Sequence, residues 1–419
     1  MVDADQTFVI VGGGLAGAKA AETLRAEGFN GRVILIGDER DHPYERPPLS
    51  KGYLMAKDER DSVFVHEAAW YAQNDIELHL GQAVTTIDRT AHTVRLGDGT
   101  TIRYDRLLLA TGSEPRRLDI PGTGLAGVHH LRRLAHADRL RHVLAALGRD
   151  NGHLVIAGAG WIGLEVAAAA RGYGAEVTVV ESAPTPLHQV LGPELGQLFA
   201  DLHAEHGVRF HFGGRLTEIV GQDGMVLAVR TDDGEEHPAH AVLAAIGAAP
   251  RTALAESAGL ALVDRAHGGG IAVDPSLRTS DPEIFAAGDV AAAHHPLLHT
   301  RLRVEHWANA LNGGPAAARA MLGRPVSYDR VPYFFSDQYD LGMEYSGWAP
   351  PGSYDQVVLR GDAGKRQFIA FWLKDRRVLA GMNVNVWDVT EPIQQLVRSG
   401  APVDPDALAD PSVPLDGLI

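Results

Sequence analysis

The chain of 419 residues contains no cysteine. Disulfides, zinc–thiolate sites, cysteine-bound iron–sulfur clusters and thiol nucleophiles are therefore impossible within it. It also lacks any apolar run approaching the roughly 20 residues that a membrane-spanning helix needs. Acidic residues (53) outnumber basic residues (38), and the resulting net charge of −15 argues against nucleic acid or an anionic membrane surface as a partner.

The length, with 45% hydrophobic and 22% charged residues, indicates a globular protein of two or three domains. The first residues, "MVDADQTFVIVGGG", are acidic and pass straight into an apolar run, which is not the pattern of a secretory signal. We therefore expect a cytoplasmic protein. No metal site is predicted.

Residues 8–39 have the pattern of a strand, a tight turn, an alanine-rich helix and a second strand. In the turn, Gly12 allows the chain to reverse, Gly14 lets backbone approach a pyrophosphate, and Gly17 permits close packing of helix on strand. The helix N-terminus supplies amides and a positive dipole for phosphates. Asp38, at the end of the second strand, can accept a hydrogen bond from a ribose hydroxyl.

Residues 153–182 repeat this pattern with Gly158, Gly160 and Gly163, and their second strand ends at Glu181. A glycine turn of this kind also opens many purely structural helices, but two copies in one chain predict two bound dinucleotides. A carboxylate at Glu181 is typical of NADH sites, because it bonds the adenosine 2′-hydroxyl and repels a 2′-phosphate. No Arg or Lys follows it in "ESAPTPLHQ".

Two further stretches fit a flavin protein. "YDRLLLATGSEPR" (104–116) is a buried-strand pattern that runs into Thr111 and Gly112, where the chain could leave a first domain. "RTSDPEIFAAGDVA" (278–291) is another strand, and it delivers Asp289, which can hydrogen-bond a ribityl chain. The alternative for this aspartate is a helix N-cap, since the following "VAAA" is compatible with a helix.

Taken together, these residues resemble the FAD- and NAD(P)H-dependent reductases with a glutathione-reductase-like fold. The motifs "YERPPLSK", "GAGWIGLE", "FAAGDVA" and "VEHWANA" are most similar to the oxygenase-coupled, putidaredoxin reductase-like ferredoxin reductases. The resemblance implies an α/β fold with two Rossmann-like domains and a C-terminal α+β interface domain. The FAD-binding domain would comprise 1–113 and 245–322, the NAD-binding domain 114–244, and the interface domain 323–419.

The function implied by the resemblance is transfer of electrons from NADH, via FAD and one at a time, to an iron–sulfur ferredoxin of the 2Fe–2S or 3Fe–4S type. That ferredoxin would supply a haem-thiolate monooxygenase or a ring-hydroxylating dioxygenase. One alternative is an NADH oxidase or peroxidase, although these typically use a cysteine beside the flavin. Another is a redox-gated assembly protein like apoptosis-inducing factor, which would be expected to carry targeting segments or long insertions.

The stretch "DHPYERPPLSKGYL" (41–54) contains three prolines, so it is neither a helix interior nor a central strand. By resemblance, Lys51 lies near the isoalloxazine, where a fixed cation stabilises the negative charge of reduced flavin. Glu165 fits a carboxylate paired with Lys51 near the nicotinamide, and Arg46 would lie near the pyrophosphate. The alternatives are solvated cations on a rigid loop and a first-turn glutamate favoured by the helix dipole.

The resemblance implies further cofactor contacts on both dinucleotides. For FAD these are Ala16, Val84, Arg132 and Trp307, and for the nicotinamide dinucleotide Ile162 and Gly247. Arg132 could equally be a surface residue, and Trp307 a plain core tryptophan.

Docking of a ferredoxin is expected to need a local positive patch, because such ferredoxins are typically acidic. The candidates are Arg301, Arg303, Lys374, Arg376 and Arg377. In the nearby motif "PYFFSDQY", the family often has a tryptophan where this chain has Phe335. Phenylalanine keeps an aromatic face but loses the indole N–H, so docking at that position is expected to differ.

Overall fold

A computed structural model describes residues 5–418 of the chain. These residues form two compact units, each assembled from separate stretches of sequence. The first unit comprises residues 5–45, 60–114 and 249–332, and the second comprises residues 46–59, 115–248 and 333–418. The outermost predicted domain limits, residues 1 and 419, lie outside the described residues.

Strands are numbered in chain order. They are β1 Thr7–Val11, β2 Arg32–Gly37, β3 Ile76–Leu80, β4 Val84–Asp88, β5 Thr93–Leu96, β6 Thr101–Arg103, β7 Arg106–Leu109, β8 Ser113–Pro115, β9 Val128–His129, β10 His153–Ala157, β11 Glu176–Glu181, β12 Val208–Phe212, β13 Leu216–Gln222, β14 Met225–Thr231, β15 Glu236–Pro238, β16 Ala241–Ala244, β17 Ala248–Pro250, β18 Ile271–Val273, β19 Ile284–Ala286, β20 Ala291–His295, β21 Thr300–Arg303, β22 Tyr333–Gln338, β23 Leu341–Gly347, β24 Gln356–Asp362, β25 Gln367–Lys374 and β26 Arg377–Val384.

The α-helices are numbered in the same way. They are α1 Leu15–Ala26, α2 Ala68–Gln73, α3 Leu134–Arg149, α4 Trp161–Tyr173, α5 His188–Leu191, α6 Pro193–Glu205, α7 Ala253–Ser257, α8 Trp307–Met321, α9 Thr390–Ser399 and α10 Pro405–Ala409. Within residues 5–418, no helix combines the length and apolar character that crossing a bilayer requires.

The first unit is built on a parallel sheet with strand order β19-β7-β1-β2-β3. Its inner strands are nearly continuous apolar runs, as expected where helices cover both faces of a parallel sheet. Helix α1 packs against α8, and their backbones come close because Gly314 has no side chain. A Cβ at Gly314 would lie 2.2 Å from the Ala16 carbonyl oxygen.

The second unit contains two five-stranded sheets. One is parallel, with the order β12-β11-β10-β16-β9, and the other is antiparallel, with the order β22-β23-β26-β25-β24. The parallel sheet carries α4, and the antiparallel sheet carries α9. The predicted α/β class with two Rossmann-like sheets is therefore confirmed. The predicted division into three domains stays a prediction. The two compact units do not separate the predicted NAD-binding domain from the predicted interface domain, since the parallel and the antiparallel sheet both lie in the second unit.

Residues 46–59 belong to the second unit although residues 5–45 belong to the first. Residues 41–54 contain no α-helix and no β-strand, as predicted for this proline-rich stretch; Pro47–Ser50 forms one short 3₁₀ helix. The Tyr173 hydroxyl donates to the Leu54 carbonyl oxygen at 2.9 Å, and the Tyr53 hydroxyl donates to Asp138. These bonds hold the segment against α3 and α4.

Candidate functional site

The first glycine turn joins β1 to α1, and its three glycines have different surroundings. Gly12 has a φ of +130°, and a Cβ there would lie 2.1 Å from the Ala110 carbonyl oxygen. A Cβ at Gly17 would lie 2.1 Å from the Gly12 carbonyl oxygen. Apart from the adjoining backbone, no atom of residues 5–418 lies within 4 Å of the position that a Cβ at Gly14 would take. Packing therefore requires the first and third glycines, while the second faces open space at the N-terminus of α1.

The second glycine turn, between β10 and α4, has the same arrangement. Gly158 has a φ of +99°, and its Cβ would lie 2.6 Å from the Ala245 carbonyl oxygen. A Cβ at Gly163 would lie 2.2 Å from the Gly158 carbonyl oxygen, whereas a Cβ at Gly160 would have no atom of the described chain within 4 Å beyond the adjoining backbone. Open space before the amides of a helix N-terminus suits an anionic group such as a pyrophosphate. Both turns therefore fit a dinucleotide.

The two carboxylates at the strand ends have different partners. Asp38 accepts a hydrogen bond from Arg251 Nη2 at 3.0 Å, a contact that sequence reasoning did not anticipate. Glu181 accepts from the backbone amides of Ala159 and Ala183, each at 2.8 Å. The amide of Ala159 belongs to the second glycine turn, so the Glu181 carboxylate is held beside that turn.

Asp289 is buried and accepts from the Ser113 hydroxyl at 2.7 Å. It lies inside the 3₁₀ helix Gly288–Val290, and the chain continues directly into strand β20. The alternative of a helix N-cap is therefore wrong, because no α-helix follows. Thr111 and Gly112, just before Ser113 in the chain, both bond to Arg251. The Thr111 hydroxyl donates to the Arg251 carbonyl oxygen at 3.0 Å, and the Gly112 carbonyl oxygen accepts from the Arg251 amide at 3.0 Å.

Lys51 and Glu165 form an ion pair in the second unit. Lys51 Nζ lies 2.7 Å from Glu165 Oε1, and the two side chains are 14% and 3% exposed. The same carboxylate accepts from the Ser336 hydroxyl at 2.7 Å on Oε1 and from the Ser50 hydroxyl at 2.5 Å on Oε2. Three donors converge on one buried carboxylate, which compensates for its removal from water. We call Lys51, Glu165, Ser50 and Ser336 the lysine–glutamate cluster.

The cluster continues into a buried polar chain. Gln338 Nε2 donates to the Ser336 hydroxyl oxygen at 3.0 Å, and Gln338 Oε1 lies 2.8 Å from His203 Nε2. Burial lowers the pKa of His203 to about 4, so the imidazole is neutral and donates to the glutamine. Lys51 Nζ also lies 5.3 Å from the centre of the Phe335 ring, within cation–π range. Of these residues, only Lys51, Glu165 and Phe335 had been singled out from the sequence.

The other predicted cofactor residues are spread over the two units. In the first unit, Ala16 is buried in α1, while Val84 and Trp307 are half-buried at the starts of β4 and α8. In the second unit, Arg46 Nη1 donates to the Arg132 carbonyl oxygen, which brings two predicted arginines together.

Two further predicted residues lie near the second glycine turn. Ile162, in the first turn of α4, is 43% exposed, which is unusual for a large apolar side chain in this protein. Gly247 has a φ of +93°, and its carbonyl oxygen accepts from the Arg116 amide at 2.9 Å.

The five cations predicted for docking are mostly engaged within their own units. The four arginines, Arg301, Arg303, Arg376 and Arg377, each donate to backbone carbonyl oxygens. Lys374 differs, because it is 50% exposed and has only a loose ion pair at 3.5 Å with Asp355. Its ammonium group is therefore held less firmly within its unit than the guanidinium groups of the four arginines.

Two glycine turns that each fit a dinucleotide are typical of an oxidoreductase that binds two dinucleotides. Comparison with known families agrees with this class. Residues 6–314 match the pyridine nucleotide-disulphide oxidoreductase family, and residues 333–419 match the reductase C-terminal family. The chain belongs to the pyridine nucleotide-disulphide oxidoreductase family.

More particular likenesses lie with ferredoxin reductases. The anthranilate 1,2-dioxygenase system ferredoxin–NAD(+) reductase component of Burkholderia cepacia is 41% identical, over 97% of this chain and 98% of that protein. Putidaredoxin reductase of Pseudomonas putida is 38% identical, over 100% of this chain and 98% of that protein. The crystal structure of the covalent putidaredoxin reductase–putidaredoxin complex is similar with a TM-score of 0.93 and 36% identity, covering 99% and 98% of the two chains.

These relatives confirm the predicted resemblance to the oxygenase-coupled ferredoxin reductases, and with it an oxidoreductase that uses FAD and a nicotinamide dinucleotide. The individual roles predicted for the site residues stay predictions.

Proposed function

We propose that this chain oxidises NADH and passes the electrons, via FAD, one at a time to an iron–sulfur ferredoxin that serves a monooxygenase or a dioxygenase. The observation that carries the proposal is the pair of equivalent glycine turns, each with open space at its middle glycine. Two such sites in one chain suit one dinucleotide that stays bound and one that is exchanged. Because NADH is a cytoplasmic coenzyme, we place this activity in the cytoplasm.

The first unit offers the donors and acceptors that FAD requires. The amides at the start of α1, beyond Gly14, would hold the pyrophosphate, and Asp38 would bond the ribose. Asp289, already oriented by Ser113, would accept from the ribityl chain. When bound, FAD would supply the chemistry, which is acceptance of a hydride and release of single electrons.

The lysine–glutamate cluster would hold a positive charge in a fixed place. The Glu165 side chain is held in one orientation, because the hydroxyls of Ser50 and Ser336 each donate to its carboxylate. The carboxylate then accepts from Lys51 Nζ and fixes the position of the ammonium group. A charge that is oriented in advance stabilises charge developing on a reactant without a cost of reorganisation. We assign Lys51 to stabilising negative charge on the reduced cofactor, and Glu165 to orienting Lys51 beside the nicotinamide.

The second unit would select NADH over NADPH. Glu181 is held by two backbone amides, and a carboxylate there accepts from a 2′-hydroxyl but repels a 2′-phosphate. Ile162 and Gly247 would line the nicotinamide end of the same site.

Electrons would leave the cofactor without a thiol, because none of the 419 residues is cysteine. The relatives named for dioxygenase and putidaredoxin systems support a ferredoxin as the acceptor. Lys374 is the cation that we assign to the docking surface, since it is half-exposed and only loosely paired.

A matched pair of glycine substitutions tests the proposal. Both middle glycines face open space, so Gly14→Val and Gly160→Val should fold. Each valine side chain would fill the space proposed for the pyrophosphate of one dinucleotide. We expect Gly14→Val to be isolated without FAD, and Gly160→Val to keep FAD but to lose reduction by NADH. Gly12→Ala is the contrasting variant, because its Cβ would collide with backbone and disturb folding itself.

Absorbance of the purified variants measures FAD content, and ferredoxin reduction by NADH measures turnover. If Gly14→Val retained one FAD per chain, or Gly160→Val retained normal NADH turnover, the assignment of the two sites would be wrong. Wild-type protein that reduces oxygen but none of a panel of ferredoxins would contradict the proposed acceptor.

A further inference from the structure

A cluster of imidazole and carboxylate groups lies in the second unit, apart from the residues assigned above. His211 is the penultimate residue of β12, His237 lies in β15, and Glu235 is in the turn between β14 and β15. Each of the three offers a ligand atom, and these atoms all lie within 4.8 Å of one another. Asp233, in the same turn, brings Oδ2 to 3.1 Å from His211 Nε2.

The two imidazoles are unsatisfied in a way that needs an explanation. The Nε2 atoms of His211 and His237 are both buried, and neither makes a well-directed hydrogen bond among the described residues, although Asp233 Oδ2 lies 3.1 Å from His211 Nε2. The side chains are only 14% and 18% exposed, and their ring centres lie 5.1 Å apart. Buried polar atoms without a partner lose the hydrogen bonds that they made with water, and native structures contain few of them.

Protonation of the two histidines would not give both buried Nε2 atoms a hydrogen-bond partner. A charged His211 would form ion pairs with Asp233 Oδ2 at 3.1 Å and Glu235 Oε2 at 3.4 Å. His237 Nε2 would still lie 3.8 Å from the nearest carboxylate oxygen of Glu235, beyond hydrogen-bonding distance. If His237 were charged as well, two positive imidazoles would repel each other with their ring centres 5.1 Å apart.

We propose that this cluster binds a divalent first-row transition metal ion of the Zn²⁺ kind, through His211, His237 and Glu235. Neutral imidazole and carboxylate are the ligands that such ions take, at about 2.0–2.2 Å. Glu235 is 63% exposed, so its side chain can turn to close the distances that now reach 4.8 Å. Asp233 or water would complete a four-coordinate shell.

The ion would join the end of β12 to the β14–β15 turn. Phe212, which follows His211, pairs with Glu181 in the parallel sheet. The metal site therefore neighbours the strand end to which we assign coenzyme selection. It remains a separate site, because neither histidine contributes to the glycine turn or to Glu181.

Calorimetric titration of the FAD-loaded protein with Zn²⁺ tests the proposal. The protein should be free of any histidine tag and stripped with EDTA beforehand. We expect one Zn²⁺ per chain at pH 7.5. Glu235→Ala and His237→Gln should each weaken binding at least tenfold. His267→Ala, at an exposed histidine of the first unit, should leave it unchanged.

Glu235 is exposed, so its loss leaves the fold intact, and FAD content and circular dichroism would verify this for each variant. Electron paramagnetic resonance of Cu²⁺ bound at one equivalent gives a second measurement, in which two imidazole nitrogens should couple to the metal. Absence of stoichiometric Zn²⁺ uptake would overturn the site. Uptake unaffected by both variants, or coupling to fewer than two nitrogens, would overturn it equally.

Discussion

Replacing Lys51 by methionine should expose the energetic role of the lysine–glutamate cluster. Glu165 is 3% exposed, and without Lys51 its charge would remain buried with two hydroxyl donors only. Removing one partner of a buried ion pair costs about 3–5 kcal/mol. Because Ser50 and Ser336 remain, we expect about 3 kcal/mol, which corresponds to a fall in Tm of roughly 6–12 °C for a unit of this size.

The double variant Lys51→Met/Glu165→Gln separates charge from packing. Its glutamine is neutral and can still exchange hydrogen bonds with Ser50 and Ser336, so the unpaired charge is gone. We expect it to lose only about 1 kcal/mol, roughly 2–4 °C in Tm, and thus to be more stable than Lys51→Met alone. Lys374→Met is the matched control, because its exposed ion pair contributes about 0–1 kcal/mol.

Differential scanning calorimetry of the FAD-loaded proteins measures the Tm values. Stopped-flow bleaching of the flavin absorbance by NADH measures the catalytic effect, and Lys51→Met should slow it at least tenfold, or about 1.4 kcal/mol in activation free energy. A double variant as unstable as the sum of the two single variants would refute the reasoning, because independent sites add. A wild-type bleaching rate for Lys51→Met would leave the lysine with a purely structural role.

Three further predictions concern other sites. Glu181→Ala should erase the preference for NADH, which we expect to be at least tenfold in kcat/KM, or about 1.4 kcal/mol; an unchanged NADH/NADPH ratio would contradict this assignment. Burial lowers the pKa of His203 from 6.5 to about 4. The unfolded chain therefore binds the extra proton, and stability present above pH 6.5 is lost as pH falls toward 4. From pH 7 to pH 5 we expect His203 to contribute a loss of about 2 kcal/mol to the free energy of unfolding, measured in urea, and the profile of His203→Gln to be flatter by that amount; identical pH profiles for the two proteins would contradict this role of His203. Lys374→Glu should slow ferredoxin reduction but spare reduction of ferricyanide, whereas Lys365→Glu serves as an exposed control; equal effects of both changes would place docking elsewhere.

Much of the nucleotide-binding architecture could be predicted because it depends on local backbone requirements. Gly12 and Gly158 need a positive φ at a tight turn, and Gly17 and Gly163 need the absence of a Cβ against neighbouring backbone. Such requirements act over a few residues, so they leave a readable pattern. The buried strands are equally readable, since parallel strands covered on both faces become continuous apolar runs.

The cluster around Glu165 was only partly predictable. Lys51 and Glu165 lie 114 positions apart, and their pairing was inferred from family resemblance and not from spacing. Ser336 lies in β22, 171 positions from Glu165 in α4, and a serine carries no local signature of a buried donor. Arg251, which lies 213 positions from Asp38, was likewise missed.

What the sequence determined by itself was the strand–turn–helix–strand order of the two segments 8–39 and 153–182, the glycine turns within them and the exclusion of thiol chemistry. The tertiary structure alone decided which distant polar groups meet. Packing between two separate sheets of the second unit places His211 beside the β14–β15 turn, and the inclusion of residues 46–59 in that unit brings Lys51 to Glu165. These contacts depend on long-range packing. Which hydroxyl or imidazole makes them is determined by the groups around it in the folded protein and not by its neighbours in the chain.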